Sequence, residues 1–301
     1  MEPLVSVIVP TYYRNERLQA TLDSVVTQSH GSIEVFVVDD SGKRHAQEAV
    51  DAVNAGDTDI QYIAHEENEG AHAARDTGLR HASGAYVQFL DDDDLLLAGK
   101  ISRQVELLEQ VEDTGAAYCG LVYEGGATHR PDPNLRGDVF EASLRFPGDP
   151  LTTSTMLIDA DVLKRIRPLA RKSKGADDTR MVIRLSQQTQ FDFLDDVLVV
   201  SGRSANSRGS SWGGVEGRWD IFETFSELYE DAPADIYREA LAETYRLQGR
   251  RCLEDRRWSP TAIYSFGQAI RYAPEIETLH IGEFLSSFAG RPGREIASRF
   301  N

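Results

Sequence analysis

ENEGAHAARDTGLRHASGAYVQFLDDDD, residues 67–94, decides the fold. Residues 71–82 are alanine-rich and predict a helix. Residues 86–90, YVQFL, predict a short buried strand that runs straight into Asp91, Asp92, Asp93 and Asp94. The same alternation extends on both sides. Toward the N-terminus, residues 4–9 and 33–38 are apolar, β-branched runs that read as strands, and residues 60–63 read as a shorter one. Between them, residues 14–29 place Leu18, Leu22, Val25 and Val26 at helical spacing, and residues 47–55 also read as helix. Toward the C-terminus, residues 100–112 set Ile101, Val105 and Leu108 on one helical face. Strands alternating with helices of this length predict an α/β three-layer sandwich around a mostly parallel sheet.

The middle of the chain is less regular. Residues 116–123, 154–158 and 197–200 predict strands, and 160–166 and 178–190 predict helices. Residues 124–150 are rich in Gly, Pro and Asp and predict loops with a short strand. Residues 201–217 form a Ser/Gly/Arg-rich stretch expected to be a mobile loop. From Trp219 onward the pattern is all-helical. Ala262, Phe266, Ala269 and Pro274 sit at offsets of the second helix of a tetratricopeptide repeat, with Gly249 one residue out of register in the first. The expected division is an α/β domain over residues 1–217 and a helical extension over 218–301.

Composition narrows the function. The chain has 301 residues, enough for one large domain with an appendage. It has no apolar run long enough to span a membrane, and its N-terminus reads as a strand rather than a signal peptide, so a cytoplasmic setting is expected. Cys119 and Cys252 cannot build a disulfide framework or a cysteine-rich zinc site. The seven histidines (His30, His45, His65, His72, His81, His129 and His280) show no paired metal spacing and read as surface or core residues. Net charge is −17, which disfavours nucleic acid as a partner. Only five of the 32 basic residues are lysine. An acidic, arginine-rich, lysine-poor composition resembles that of proteins from high-salt cytoplasms.

Two acidic groups stand where chemistry is expected. Asp39 and Asp40 follow the strand at 33–38, and the four aspartates at 91–94 follow the strand at 86–90. In a parallel sheet the carboxyl ends of strands meet at the ligand crevice. Four consecutive aspartates repel one another unless a cation sits among them. Hard oxygen donors suit Mg²⁺ or Mn²⁺, which keep substrate phosphates as further ligands. A solvated acidic turn is the alternative.

VSVIVPTYYRNERLQATLDSVVTQ (residues 5–28), EVFVVDDSG (34–42) and the stretch at 67–94 together resemble, in order and spacing, the opening of family 2 inverting glycosyltransferases with the GT-A fold. The resemblance covers about the first 110 residues and thins beyond Gly115. It implies a divalent-metal-dependent transfer from a nucleotide-sugar donor to a hydroxyl of a glycan or lipid-linked glycan. It also implies roles for residues. Pro10, Thr11 and Tyr12 would line the nucleotide pocket, and Asp40 would read uracil, which favours a UDP-sugar. Arg75 would lie near the diphosphate, and Asp92 would contact the donor's ribose or sugar. Asp93 would be the main metal ligand, supported by Asp91 and Asp94. Tyr13 and Asp76 depart from the family, which has asparagine at both places.

An inverting displacement needs one general base. Asp177 and Asp178 resemble the family's second acidic motif; Asp178 would be the base, and Asp177 its neighbour or an acceptor contact. Both would otherwise merely favour a helix N-terminus. Lys164, Arg165, Arg167, Arg171, Lys172 and Lys174 form a dense basic segment, residues 164–174, suited to a phosphate or to peripheral contact with a membrane carrying a polyprenyl-phosphate-linked acceptor. Arg208 and Trp212 are candidates for a lid over donor or acceptor. With the halophilic composition, the resemblance suggests surface-protein glycan assembly in a halophilic archaeon. Two rival functions remain: a catalytically silent transferase fold acting as a scaffold through its helical tail, and a nucleotidyltransferase. The second normally carries a glycine-rich phosphate loop where residues 10–16 have none. The lack of a G-x-G-x-x-G after the first strand speaks against a NAD-dependent oxidoreductase.

Overall fold

The computed structural model describes residues 2–169, 175–202, 212–255 and 258–290. The chain divides into two units. The first takes Met1–Phe140, Pro147–Lys172 and Asp177–Ser204; the second takes Glu141–Phe146, Ser173–Ala176 and Ala205–Asn301.

The first unit opens with β1 (Val5–Thr11), α1 (Asn15–Val26), β2 (Ile33–Asp39), α2 (Gln47–Asp51), β3 (Asp59–Ala64), α3 (Ala71–His81) and β4 (Tyr86–Phe89). The short strand β5 (Asp94–Leu96), α4 (Lys100–Gln110), β6 (Thr114–Tyr123) and β7 (Thr128–His129) follow. After α5 (Phe140–Leu144), which belongs mostly to the second unit, come β8 (Leu157–Asp159), α6 (Ala160–Arg165), α7 (Asp177–Ser186) and β9 (Gln190–Ser201). Among the described residues these strands form one nine-stranded sheet in the order β3-β2-β1-β4-β8-β6-β9-β5, with β7 beside β6. β3, β2, β1 and β4 run parallel. β8 is antiparallel to both β4 and β6, β9 runs parallel to β6, and β5 is antiparallel to β9. The sheet is therefore mixed, with its parallel half at the N-terminal end of the chain.

β1 is buried at every position because both of its faces are covered. Val5, Val7 and Val9 pack with Leu18, Leu22 and Val25 of α1 and with Ile101, Val105 and Leu108 of α4. Each of these fully buried aliphatic side chains contributes about 1.5–3 kcal/mol. The opposite face carries Ile8 against Gly78 of α3, where no side chain larger than hydrogen fits, and Phe36 with its ring 6.2 Å from that of His81. The period-2 alternation of β1 thus builds helix layers on both sides of the sheet. Lys100 is fully buried at the start of α4, where its Nζ donates to Gln88 Oε1 of β4. Burial pulls its ammonium down to about 8.

Several element bounds differ from the sequence expectation. β9 begins at Gln190, not 197, and α7 ends at Ser186, four residues early. β8 begins at Leu157, because Thr155 instead turns its hydroxyl to the carbonyls of Pro150 and Thr152.

The second unit is helical: α8 (Trp212–Thr224), α9 (Ser226–Asp231), α10 (Ala234–Asp255), α11 (Pro260–Tyr272) and α12 (Thr278–Phe288). Cys252 and Leu253 of α10 pack on Ala262 and Phe266 of α11, with Phe284 of α12 alongside. Gly249 lets α10 approach closely, since a Cβ there would lie 2.9 Å from the Phe266 ring. Ser259 caps α11 through Ala262 N, with Pro260 in its first turn. The tetratricopeptide-like positions therefore form a packed helix pair. Among the described residues no helix is long and apolar enough to cross a membrane.

Candidate functional site

The carboxyl ends of β1, β2, β3 and β4 share one edge of the sheet, and the sequence-predicted residues gather there. After β4, Leu90 N bonds to Ile8 O and Asp94 N to Asp91 O, so the four aspartates form a tight turn. Asp91 N donates to the Ser154 hydroxyl at 3.2 Å, and Asp94 Oδ1 accepts from Gly202 N at 3.1 Å.

Asp92 is buried, and the loop after β1 closes on it. Thr11 Oγ1 donates to Asp92 Oδ2 at 2.8 Å, and Tyr12 N to the same oxygen at 3.3 Å. Pro10, Thr11 and Tyr12 are thereby tied to the aspartate turn. Arg14, not singled out in the sequence, donates through one nitrogen to Asp92 Oδ1 at 3.1 Å and Asp93 Oδ2 at 2.8 Å. Burial pushes the Asp92 carboxyl up to about 6. Thr11 and Arg14 pull it back only in part, and Asp91 and Asp93 add repulsion. Burial and Asp91 also push Asp94 up.

Tyr13 has φ of 57°, in the left-handed region. Asparagine tolerates that conformation better than tyrosine, which explains the family's usual residue there. Here the ring is held by edge contact with Tyr12 (centroids 4.7 Å apart), and its hydroxyl donates to Ser41 O.

At the end of β2 the two aspartates face different partners. Asp39 accepts from Ser41 N, Ala46 N and the Tyr62 hydroxyl. Asp40 Oδ1 accepts from Glu69 N at 2.8 Å and lies 2.8 Å from His65 Nδ1; Oδ2 accepts from Gly70 N at 2.8 Å. Gly70 supplies the φ of 92° that turns these amides inward before α3. His65 Nε2 in turn meets Thr77 Oγ1 at 3.0 Å. Asp40 is thus held rigidly, with its remaining acceptor capacity on Oδ2.

Arg75 is buried on α3 and joins two acidic groups. Its guanidinium donates to Asp91 Oδ1 at 2.5 Å, with Thr153 Oγ1 at 3.4 Å. Burial works against its charge, but the fields of Asp91, Asp178 and Asp177 outweigh it and raise its affinity for the proton. One cation therefore contacts the β4 turn and interacts electrostatically with the N-terminus of α7. His72, one turn earlier on α3, puts Nε2 against Asp177 Oδ1. Asp76 receives Arg167 through two parallel contacts of 3.1 Å, so its carboxylate replaces the family's asparagine as half of an ion pair.

The basic segment is in part spent inside the chain: Arg167 on Asp76, and Lys164 on Asp161 at 2.8 Å. Arg171, Lys172, Lys174 and Arg208 lie outside the described residues. Trp212 opens α8, and its indole donates to Asp255 within the second unit.

Among the described residues no three His, Cys, Asp or Glu side chains converge as a metal cage. The donor set nonetheless fits a hard divalent cation. It is all carboxylate oxygen, Asp93 and Asp91 are partly open at 15% and 29% exposure, and the carboxyls of Asp92 and Asp94 beside them are pushed up by burial. Mg²⁺ and Mn²⁺ are commonly bound through one or two carboxylates with phosphates completing the shell.

Arg14, His65 and His72 escaped sequence reasoning. Single histidines carry no spacing signal, and Arg14 reaches its partners across 78 and 79 residues of chain. Only the parallel neighbourhood of β1 and β4, once assumed, could have flagged it.

The profile of the family described as Glycosyl transferase family 2 matches residues 6–165, more than half of the chain. The chain belongs to that family. Among family 2 relatives, WfgD of Escherichia coli, a UDP-Glc:alpha-D-GlcNAc-diphosphoundecaprenol beta-1,3-glucosyltransferase, is 33% identical over 105 residues. That match covers 35% of this chain and 41% of WfgD. Matches to three other curated relatives cover 27%, 21% and 42% of those proteins' lengths. In fold, the chain is similar to residues 1–349 of S. aureus TarS: TM-score 0.66, 18% identity, 99% of this chain and 92% of that one. It is also similar to the mannosyltransferase PcManGT of Pyrobaculum calidifontis, solved with GDP-Man and Mn²⁺: TM-score 0.63, 21% identity, 99% and 84% coverage. These likenesses establish the GT-A-type architecture of this family 2 member.

Proposed function

We propose that this chain is an inverting glycosyltransferase that moves a sugar from a nucleoside diphosphate donor to a hydroxyl of a glycan or lipid-linked glycan. One observation carries the reading. Arg75 is buried, donates to Asp91 and feels the fields of Asp177 and Asp178, at the sheet edge that also presents Thr11, Asp40 and Asp92.

In this arrangement the donor's base and ribose lie along Pro10, Thr11, Tyr12, Asp40 and Asp92. A uridine donor is favoured by the remaining acceptor capacity of Asp40 Oδ2. The acceptor hydroxyl gives its proton to Asp178 as its oxygen bonds to the anomeric carbon. The bond from that carbon to the diphosphate oxygen breaks, and the nucleoside diphosphate leaves. Arg75 meets the negative charge that develops on the leaving oxygen. A divalent cation held by Asp93, with Asp91 and Asp94 beside it, would supply further positive charge for the diphosphate. A polyprenyl-phosphate-linked acceptor is supported by the printed substrate of WfgD. It would bring the protein to the cytoplasmic membrane face, with residues 164–174 as the contact. A high-salt cytoplasm is supported only by the acidic, lysine-poor composition.

The test is Asp178→Asn, assayed by nucleoside diphosphate release and by donor binding. Turnover should fall by about 10²–10⁴-fold, the usual worth of a general base, while donor affinity is kept. Unchanged turnover would remove Asp178 from that role.

A further inference from the structure

We propose that His72 is a positioning residue that holds the N-terminus of α7, and with it the base, against α3. The inference rests on the assignment of Asp178 as base. The first observation is position: His72 and Arg75 stand three residues apart on α3 and so share a face. The second is division of labour. The described hydrogen bonds of Arg75 go to Asp91 and Thr153, and its Nε is buried without a partner among the described residues. Arg75 therefore meets α7 through its field alone. One direct contact from α3 to α7 comes from His72, whose Nε2 lies against Asp177 Oδ1.

The third observation is burial. The His72 side chain is 9% exposed, its Nε2 lies at ion-pair distance from Asp177 Oδ1, and neither ring nitrogen makes a hydrogen bond among the described residues. A buried imidazole with one polar neighbour has one reason to keep its orientation, and that neighbour is the carboxylate beside the base. The chain enters α7 through Gly175 and Ala176, both with positive φ (145° and 55°), so regular backbone does not lead into the helix. The imidazole lies against Asp177, the first residue of α7, and the next residue is Asp178. Arg75 serves the diphosphate side and His72 the acceptor side of one helix face. Single-residue spacing gave no hint of this, because the pair spans α3 and α7.

Two measurements test it on the full chain. First, the ¹⁵N-histidine spectrum should show His72 protonated at Nε2, and Asp177→Asn should shift that resonance. An unshifted resonance overturns the contact. Second, His72→Phe, His72→Gln, Asp177→Asn and Asp178→Asn are compared by release of UDP or GDP. The donors are UDP-glucose, UDP-GlcNAc and GDP-mannose, and water serves as acceptor. His72→Phe should lower kcat on the order of tenfold to a hundredfold through misplacement of the base, with donor KM unchanged. His72→Gln keeps an N–H near Nε2 and should restore most of the turnover. His72→Phe combined with Asp177→Asn should be no worse than either alone. Equal losses in the Gln and Phe variants, or a change confined to donor KM, would overturn the positioning role. If Asp178→Asn alone keeps full turnover, the base assignment fails; His72 and Asp177 would then still couple in the spectrum.

Discussion

The acids that end β2 and the acids that follow β4 share a sheet edge, yet their electrostatics run in opposite directions. Asp39 is completely buried, and burial alone would raise its pKa. The Ala46 amide, the Tyr62 hydroxyl and Ser41 reverse that and hold its carboxyl below the usual range. Asp92 is nearly as buried, receives Thr11 and Arg14, and still sits near 6. Asp94 is also pushed up. The first aspartate is satisfied by the fold and serves as a structural bolt between β2, α2 and β3. The second group keeps carboxyls that burial and mutual repulsion push up, and the proposed cation site rests on that feature.

The comparison can be broken from the Asp39 side first. Asp39→Ala leaves two buried amides and a tyrosine hydroxyl without an acceptor, so unfolding stability should fall by about 2–4 kcal/mol in urea titration. Because the folded pKa of Asp39 is lowered, its contribution is present above the ordinary carboxylate value of 3.8 and is lost as pH falls through its folded value. The gap between wild type and Asp39→Asn should therefore close on acidification. A gap that stays constant down to acid pH would mean that Asp39 is not the charged bolt described.

Asp92 should behave in mirror image. Its folded pKa is raised, so ionisation destabilises the fold as pH rises from 3.8 to about 6, and the penalty is complete above that. Asp92→Asn should gain about 1–3 kcal/mol at pH 8 and nothing at pH 3.5, by thermal melts across pH. A loss of stability at pH 8 would place Asp92 with Asp39. The smallest effect belongs to Tyr62→Phe, which removes one of the donors to Asp39. It should cost about 1 kcal/mol without affecting nucleotide binding, and lowered nucleotide affinity would tie Tyr62 to the site instead.

How much of this was legible in the sequence follows from what each residue must do alone. β1, β2 and β4 were plain because a strand covered on both faces must be apolar throughout. The strand ends were plain for the same reason, since the apolar runs stop at Asp39 and Asp91. β9 was read short because Asp192, Asp195 and Asp196 interrupt it, and their side chains find Arg136, Arg130 and Arg103 only in the folded sheet. β8 was read as residues 154–158 and overlaps that reading only at Leu157 and Ile158, because the Thr155 hydroxyl turns to the carbonyls of Pro150 and Thr152 instead. The aspartates at 91–94 announced themselves by number, but nothing in the sequence said that Arg14 would span Asp92 and Asp93 or that His65 would brace Asp40. Those are contacts between separate strand ends, fixed only when the parallel register is formed.

The most direct test of the contrast is calorimetric titration of UDP and GDP with and without Mn²⁺, on wild type and Asp93→Ala. Nucleotide binding that strengthens with Mn²⁺ and loses that gain in Asp93→Ala would match a β4 turn built to receive a cation and a diphosphate. Equal binding with and without the metal, unchanged in Asp93→Ala, would contradict it and leave the four aspartates as a turn already balanced by Arg14 and Arg75.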